Sequence, residues 1–442
     1  MKGVSFFALA LGLSAGCAAN AVELAVNGQG QVLIYPLYSV ESGNDTAIHL
    51  TNTASRPVTA KVRILEGLNG QVVHSFNLYL NEYDTWTGVL VRSETGARLV
   101  SADASCTVPS LPAEGVELGA GDPELAARSR VGTLEVIETG VYMAPASQSE
   151  EFALMQLFYG YPADCGRFSA AFAEGGVWAQ NSKAGLAPPE GQLFGSVTMT
   201  NVMNGEQIAL DATALLDFSQ HARQTRPEDP EPTLAQSETV FAKMRGTSVS
   251  FRNGAEAVTA LLTRRSADGE FAYGAGLNAE TEWAVTFPTK AYLNADPEAS
   301  RYSPYYNPLV IDGRRCEGFY SPYRNRDGSS RFEWAWANLC AITNIVGFGD
   351  SDILGGRYVR TQLQAPDSDT GWVSFDLEDA GGTMGPPNQY RNLAAFPGPA
   401  PFNLRGVGMI GFSVIRIQNG DVGGLLSNYV SVKRLTSLAD PE

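Results

Sequence analysis

The sequence predicts a mainly β protein: two antiparallel, immunoglobulin-like β-sandwich domains with long loops and minor helix. Three observations carry this. Apolar and polar residues alternate with period two in several short runs, the pattern of a strand with one face in a core. Asn-Gly pairs, the preferred centre of a tight hairpin turn, recur at Asn69-Gly70, Asn204-Gly205 and Asn419-Gly420. The 44% hydrophobic and 18% charged content is that of a chain that folds around a core.

The first twenty-one residues stand apart. Lys2 precedes a short apolar run, Val4 to Leu13, and Ala19-Asn20-Ala21 is a small-x-small cleavage site. The run is too short to span a bilayer as a helix, so residues 1–21 read as an export signal cut after Ala21. Ser14-Ala15-Gly16-Cys17 offers the small residues of a lipid-attachment site, but Leu13 stands one place too early for the usual motif. The expected location is extracellular or at the cell surface, with the periplasm as the alternative.

From Val32 to Val40 the chain reads as a strand broken at Pro36, and Ala47 to Thr51 as a second. In Val58 to Glu66, Val58, Ala60, Val62 and Ile64 point one way and Thr59, Lys61 and Arg63 the other, a half-buried strand. After Asn69-Gly70, Val72 to Leu80 returns with the same alternation, and Thr85 to Val91 follows. Residues 92–130 are polar and Gly-rich and read as a long loop, with a short helix opened by Asp122 and Pro123. Strands resume at Gly132 to Ile137 and Phe152 to Tyr159, and Pro162 to Phe172 reads as helical. Residues 22–190 are thus expected to form the first domain and 191–442 the second.

The second domain opens with a hairpin, Ser196 to Met203 and Glu206 to Phe218, around Asn204-Gly205. Residues 219–236 hold three prolines, Pro227, Pro230 and Pro232, in a stiff polar segment. Ala255 to Leu262 is apolar and fits helix or strand. Trp283 to Phe287, Gly371 to Leu377 and Val407 to Ile417 read as strands, the last turning at Asn419-Gly420 and returning through Tyr429 to Val432.

The net charge of -16 repels phosphate backbones and anionic headgroups, which excludes nucleic acid as an expected partner. No run after the leader is long and apolar enough for a transmembrane helix. Four cysteines remain after the leader: Cys106, Cys165, Cys316 and Cys340. Four cysteines allow three pairings. Pairing nearest neighbours gives Cys106–Cys165 and Cys316–Cys340, each worth about 3–4 kcal/mol on the chain-entropy account. Free buried thiols are the alternative. No C-x-x-C motif and no neighbouring His favours a metal site.

Catalytic signatures are lacking. His49, His74 and His221 show no metal spacing, and there is no nucleophile elbow, zinc-protease motif or phosphate loop. Glu280 and Glu282, one residue apart before Trp283, and Glu333, beside Trp334, are the carboxylates a glycoside hydrolase would need. The aromatic stretch containing Tyr305, Tyr306, Tyr323, Trp334 and Trp336 is the candidate sugar-stacking platform; a core around Cys316 and Cys340 is the competing role. Asp350, Asp352, Asp367 and Asp369 are the candidate calcium ligands, though neither Asp-Ser-Asp step has the spacing of an EF-hand. No cofactor is otherwise expected. Asn44-Asp45-Thr46 matches a glycosylation sequon.

Four segments taken together resemble a family of exported proteobacterial proteins, usually called hypothetical or cell surface protein. They are Gly30 to Tyr38, Phe76 to Leu80 with Asp84 to Thr87, Thr281 to Lys290, and Gly411-Phe412 with Asn419-Gly420 and Leu426 to Tyr429. The resemblance spans most of the chain after the leader. It implies an exported, surface-associated protein and, since the family has no assigned activity, implies no catalytic residues. The expected function is a non-enzymatic cell-surface or extracellular structural or interaction protein. Its expected partners are surface glycans, other envelope proteins or further copies of itself. A carbohydrate-binding module or envelope glycoside hydrolase is the alternative.

Overall fold

The computed structural model describes residues 20–143, 157–158, 161–162, 164–244, 246–294, 306, 310–311, 313–366, 368–377, 393–394, 403–404 and 406–435. Residues 1–19, most of the segment read as an export signal and Cys17 included, lie outside them.

The described residues are mainly β and mostly antiparallel, as the alternation predicts. Sheet I runs in the order Glu23–Leu24, Thr213–Leu216, Val32–Ser39, Val131–Tyr142, Val58–Glu66, Val72–Leu80, Cys106–Val108. Sheet II runs Val116–Glu117, Ala97–Val100, Thr85–Arg92, Asp45–Asn52, Leu193–Asn201, Glu206–Asp211. The two sheets close on one core. Val62, Phe76, Leu78 and Val136 come from sheet I; Ile48, Leu50, Trp86 and Val197 come from sheet II. Trp86 is 1% exposed, and truncating so large a buried ring costs about 3–5 kcal/mol.

These sheets continue past residue 190. Leu193–Asn201 pairs with Asp45–Asn52 in sheet II, and Glu206–Asp211 returns beside it. The chain then crosses at Ala212 to sheet I, where Thr213–Leu216 pairs with Val32–Ser39. Segment 92–130, expected as a loop, instead carries three short strands and the helix Pro123–Arg128. Its alternation is real but brief: Ala97 and Leu99 are buried while Arg98 is exposed. The helix starts where expected, with Asp122 accepting from the N–H groups of Glu124 and Leu125.

Alternation assigned Thr59, Lys61 and Arg63 to a solvent face, yet the structure buries every residue of Val58–Glu66. The outer face of sheet I is covered. Residues 219–236 run across it, and Lys61 donates to the carbonyls of Arg226 and Pro227 at 3.1 and 3.0 Å. Arg63 pairs with buried Glu135, and Tyr292 bonds to both. A further cluster, with Tyr79 stacked on Phe168 and beside Trp178, forms around the Cys106–Cys165 disulfide.

The second half is another pair of sheets. Sheet III runs Arg360–Leu363, Thr343–Phe348, Ala279–Thr286, Ile410–Val422, Leu425–Arg434; sheet IV runs Ser266–Ala272, Thr370–Asp376, Glu317–Asn325, Ser330–Leu339. Only the Thr343–Phe348 and Arg360–Leu363 pairing in them is parallel. Trp283 and Val285 join Phe348, Phe375 and Phe319 in the second core, while Ala284 between them joins Ile345 and Phe412 against the first sandwich. Both faces of sheet III are therefore apolar. The ambiguous segment is a helix, Gly254–Leu262, buried along its whole length. Asn253 accepts from the N–H of Glu256, and Glu256 accepts from that of Arg252, a reciprocal N-terminal cap. Cys316–Cys340 is the second disulfide, so both bonds join sequence neighbours.

Candidate interaction surface

The turn expected at Asn419-Gly420 lies elsewhere. Ile410–Val422 runs on through that pair with a register shift between Gln418 and Asp421. The hairpin closes at Gly423 and Gly424, with φ of 64° and 87°. A two-residue turn with both central φ values positive matches the twist of antiparallel strands and favours glycine at both places. The sequence signal was Gly423-Gly424 itself, masked by the stronger prior attached to Asn-Gly.

This longer hairpin carries an exposed apolar end: Val422, Leu425, Leu426 and Tyr429, with Leu425 72% exposed. Beside it lies the turn between Leu193–Asn201 and Glu206–Asp211, where Met203 is 86% exposed and Val202 is also bare. Asn428 Nδ2 donates to the carbonyl of Asn204 at 2.8 Å. Leu426 packs so closely on Gly205 that a Cβ there would meet it at 2.6 Å. Below the tips, Arg416 reaches Glu280 at 2.7 Å and Glu206 at 3.7 Å, fixing one hairpin to the other. The apolar ends are held together on a clamped base, and exposed apolar clusters of this kind mark interaction surfaces.

Leu425–Arg434 is also the outermost strand of sheet III and pairs only with Ile410–Val422 among the described strands. Its first eight residues, Leu425 to Val432, contain no charge and no proline. Edge strands are usually protected by just those devices. Lys433 and Arg434 supply charge only at the far end, and Lys433 is already paired with Glu270 at 2.6 Å.

The residues singled out from sequence fall elsewhere. Tyr306 is buried, bonded to Thr289 and the Gly408 carbonyl, and Tyr323 is buried with its hydroxyl on the Gln364 carbonyl. Neither ring has a face open to a sugar. Tyr305, and the side chains of Trp334, Trp336 and Glu333, lie outside the described residues. Glu280 and Glu282 do share one face, but they clasp a loop rather than face a cleft. Glu282 is buried, pairs with Arg360 and accepts from Leu354 N–H; Glu280 accepts from Asp352 N–H. Burial pushes the Glu282 carboxyl up, and the Arg360 pairing opposes it.

That loop, 349–359, contains Asp350 and Asp352. Asp350 accepts from the Tyr273 hydroxyl at 2.6 Å, which holds its carboxyl below the ordinary value. Asp352 accepts from Ser42 at 2.7 Å. Glu41 receives the N–H groups of Gly356 and Arg357, and Asn44 donates to Ile353. The loop is thereby sewn to the first sandwich, and the sequon Asn44 has its amide buried in that seam. Asp369 is exposed and Asp367 lies outside the described residues. Among the described residues no three His, Cys, Asp or Glu side chains are placed to hold a metal ion. No described helix is long and apolar enough to cross a membrane.

Of the histidines, His49 bonds Thr87, His74 is half-buried beside Phe76, and His221 meets Glu238 at 2.8 Å on an exposed edge. No family model matches the chain, and neither a curated protein nor a solved structure matches it.

Proposed function

We propose that this is an exported, non-enzymatic structural or interaction protein of the cell surface or extracellular space that associates with further copies of itself. The carrying observation is the outer strand Leu425–Arg434, which lies beside Glu206–Asp211 without a described backbone pairing to it, is uncharged over eight residues and sets exposed Leu425, Leu426 and Tyr429 near Met203. A strand paired antiparallel with its own copy about a two-fold axis at Tyr429 sets Leu425 against Lys433 and keeps the two basic ends apart. No like charges face each other in that arrangement. Two disulfides in a β-rich chain fit an oxidising compartment outside the cytoplasm, and the apolar leader with Ala19-Asn20-Ala21 supports export. The resemblance to exported surface proteins points the same way.

Analytical ultracentrifugation of the purified mature chain tests the reading. The protein is expected to associate as concentration rises, and more strongly at higher salt, because salt screens the repulsion between strongly acidic copies. Leu425→Lys with Tyr429→Lys places like charges across the two-fold axis and is expected to return the protein to monomers without lowering its melting temperature. Tyr83→Lys, at an exposed site elsewhere, leaves association unchanged. A strict monomer at all concentrations, or association that survives the paired lysines, overturns it.

A further inference from the structure

A second feature shares Arg434 with the sheet edge but is built mainly from other elements. A cavity of about 460 Å³ opens where the first sandwich meets the second half of the chain. Its size falls in the range of small-molecule pockets, roughly 300–1,000 Å³. The buried Leu262, Met409 and Ala214 form its floor, and exposed Val26 and Asn27 stand at its mouth.

Two arginines line it, and no described ion pair involves either. Arg264 is half-buried and turns Nη1 onto the carbonyls of Leu261 and Thr263, at 3.2 and 2.8 Å. Its Nε and Nη2 have no acceptor among the described residues, yet they are not among the atoms sealed from solvent. Burial alone pushes its guanidinium below the ordinary value. Arg434 is exposed at the mouth and donates to the Asp211 carbonyl at 3.0 Å. In a chain with 47 acidic residues against 31 basic ones, this half-buried guanidinium meets no carboxylate among the described residues. Buried arginines of other parts of this fold, Arg63 and Arg416, each hold one. A guanidinium fork matches a carboxylate in two parallel bonds, and the free Nε and Nη2 edge is the geometry for that.

We propose that this pocket binds an amphipathic organic carboxylate, its head between Arg264 and Arg434 and its alkyl chain on Leu262 and Met409. The ligand class follows from two arginines set against a single carboxylate, Asp211, in a lining that is otherwise largely apolar.

Isothermal titration of the mature protein with decanoate, below its critical micelle concentration, tests this. Decanol and acetate serve as controls that lack the charge or the chain. Decanoate is expected to bind saturably and at least tenfold tighter than either control. Arg264→Gln is expected to weaken decanoate at least tenfold and leave decanol unmoved, and Arg434→Gln to weaken it less. Each variant is melted first; if Arg264→Gln does not fold, Arg264→Lys, which keeps the charge and loses the fork, is read in its place. Absence of saturable decanoate binding, equal binding of decanol, or wild-type affinity in the Arg264 variant overturns the proposal.

Discussion

The side chain of Asn428 donates to the carbonyl of Asn204 at 2.8 Å, tying together two turns 224 residues apart in the chain. Asn428→Ala removes the bond and is expected to cost about 0.5–1.5 kcal/mol. Gly205→Ala is expected to cost more, because its φ of 65° disfavours a side chain and the new Cβ would strike Leu426. Denaturant melts rank the two, and ultracentrifugation shows both weakening self-association as the tips separate.

Removing one partner of the Glu282–Arg360 pair strands a charge in a buried site. Arg360→Ala is expected to cost about 3–5 kcal/mol. Glu282→Gln added to that variant removes the charge and keeps an acceptor for Leu354 N–H, so the double variant should be more stable than Arg360→Ala alone. Urea titrations of the three proteins decide it; an ordering with the double variant lowest contradicts the clasp described for loop 349–359.

Burial pushes the Glu138 carboxyl up to about 8, against backbone N–H bonds from Glu190 and Gly191. Its folded value lies above the ordinary 4.5, so its contribution to stability is full below that pH and is lost as pH rises to 8. The slope is up to about 1.4 kcal/mol per pH unit. Lys61 and Lys290 move oppositely, both lowered by burial to about 8, so their contribution is full above pH 10.5 and is lost as pH falls to 8. Melting temperature against pH should therefore fall from pH 5 to 8. Glu138→Gln should flatten that limb, and Lys61→Met should flatten part of the rise above pH 8.

The Cys106–Cys165 bond closes 59 residues and anchors the cluster around Trp178. Replacing both cysteines by serine is expected to cost about 4 kcal/mol on the chain-entropy account. Trp178 should become solvent-exposed at lower denaturant than the rest of the fold, read as a red shift in its fluorescence.

Much of the strand content was legible because a two-residue period survives whatever covers the strand. Val58–Glu66 and Val72–Leu80 were placed by alternation alone. What alternation cannot distinguish is water from a polar cover: Lys61 and Arg63 look solvated in sequence and are sealed beneath Arg226, Pro227 and Tyr292. The interaction surface was less legible. It depends on Gly423 and Gly424 extending the hairpin beyond Asn419-Gly420, and on two turns far apart in the chain meeting in space. Tyr306 and Tyr323 were visible as aromatic residues, but whether a ring faces inward is set by tertiary contacts that local composition does not encode. Arg264 carried no local signal, since its isolation from carboxylates is a property of the assembled fold.

Sheet I takes a strand from Thr213–Leu216, and residues 219–236 and Tyr292 cover its outer side. A chain emerging amino end first must therefore hold Lys61 uncovered until residues 226 and 227 appear, and Arg63 until Tyr292 does. Sealing of the outer face of sheet I waits on residues from beyond the strands that build it. A nascent intermediate of this protein would present an unsatisfied sheet to its surroundings, and its yield should depend on holdase chaperones more than its finished stability suggests.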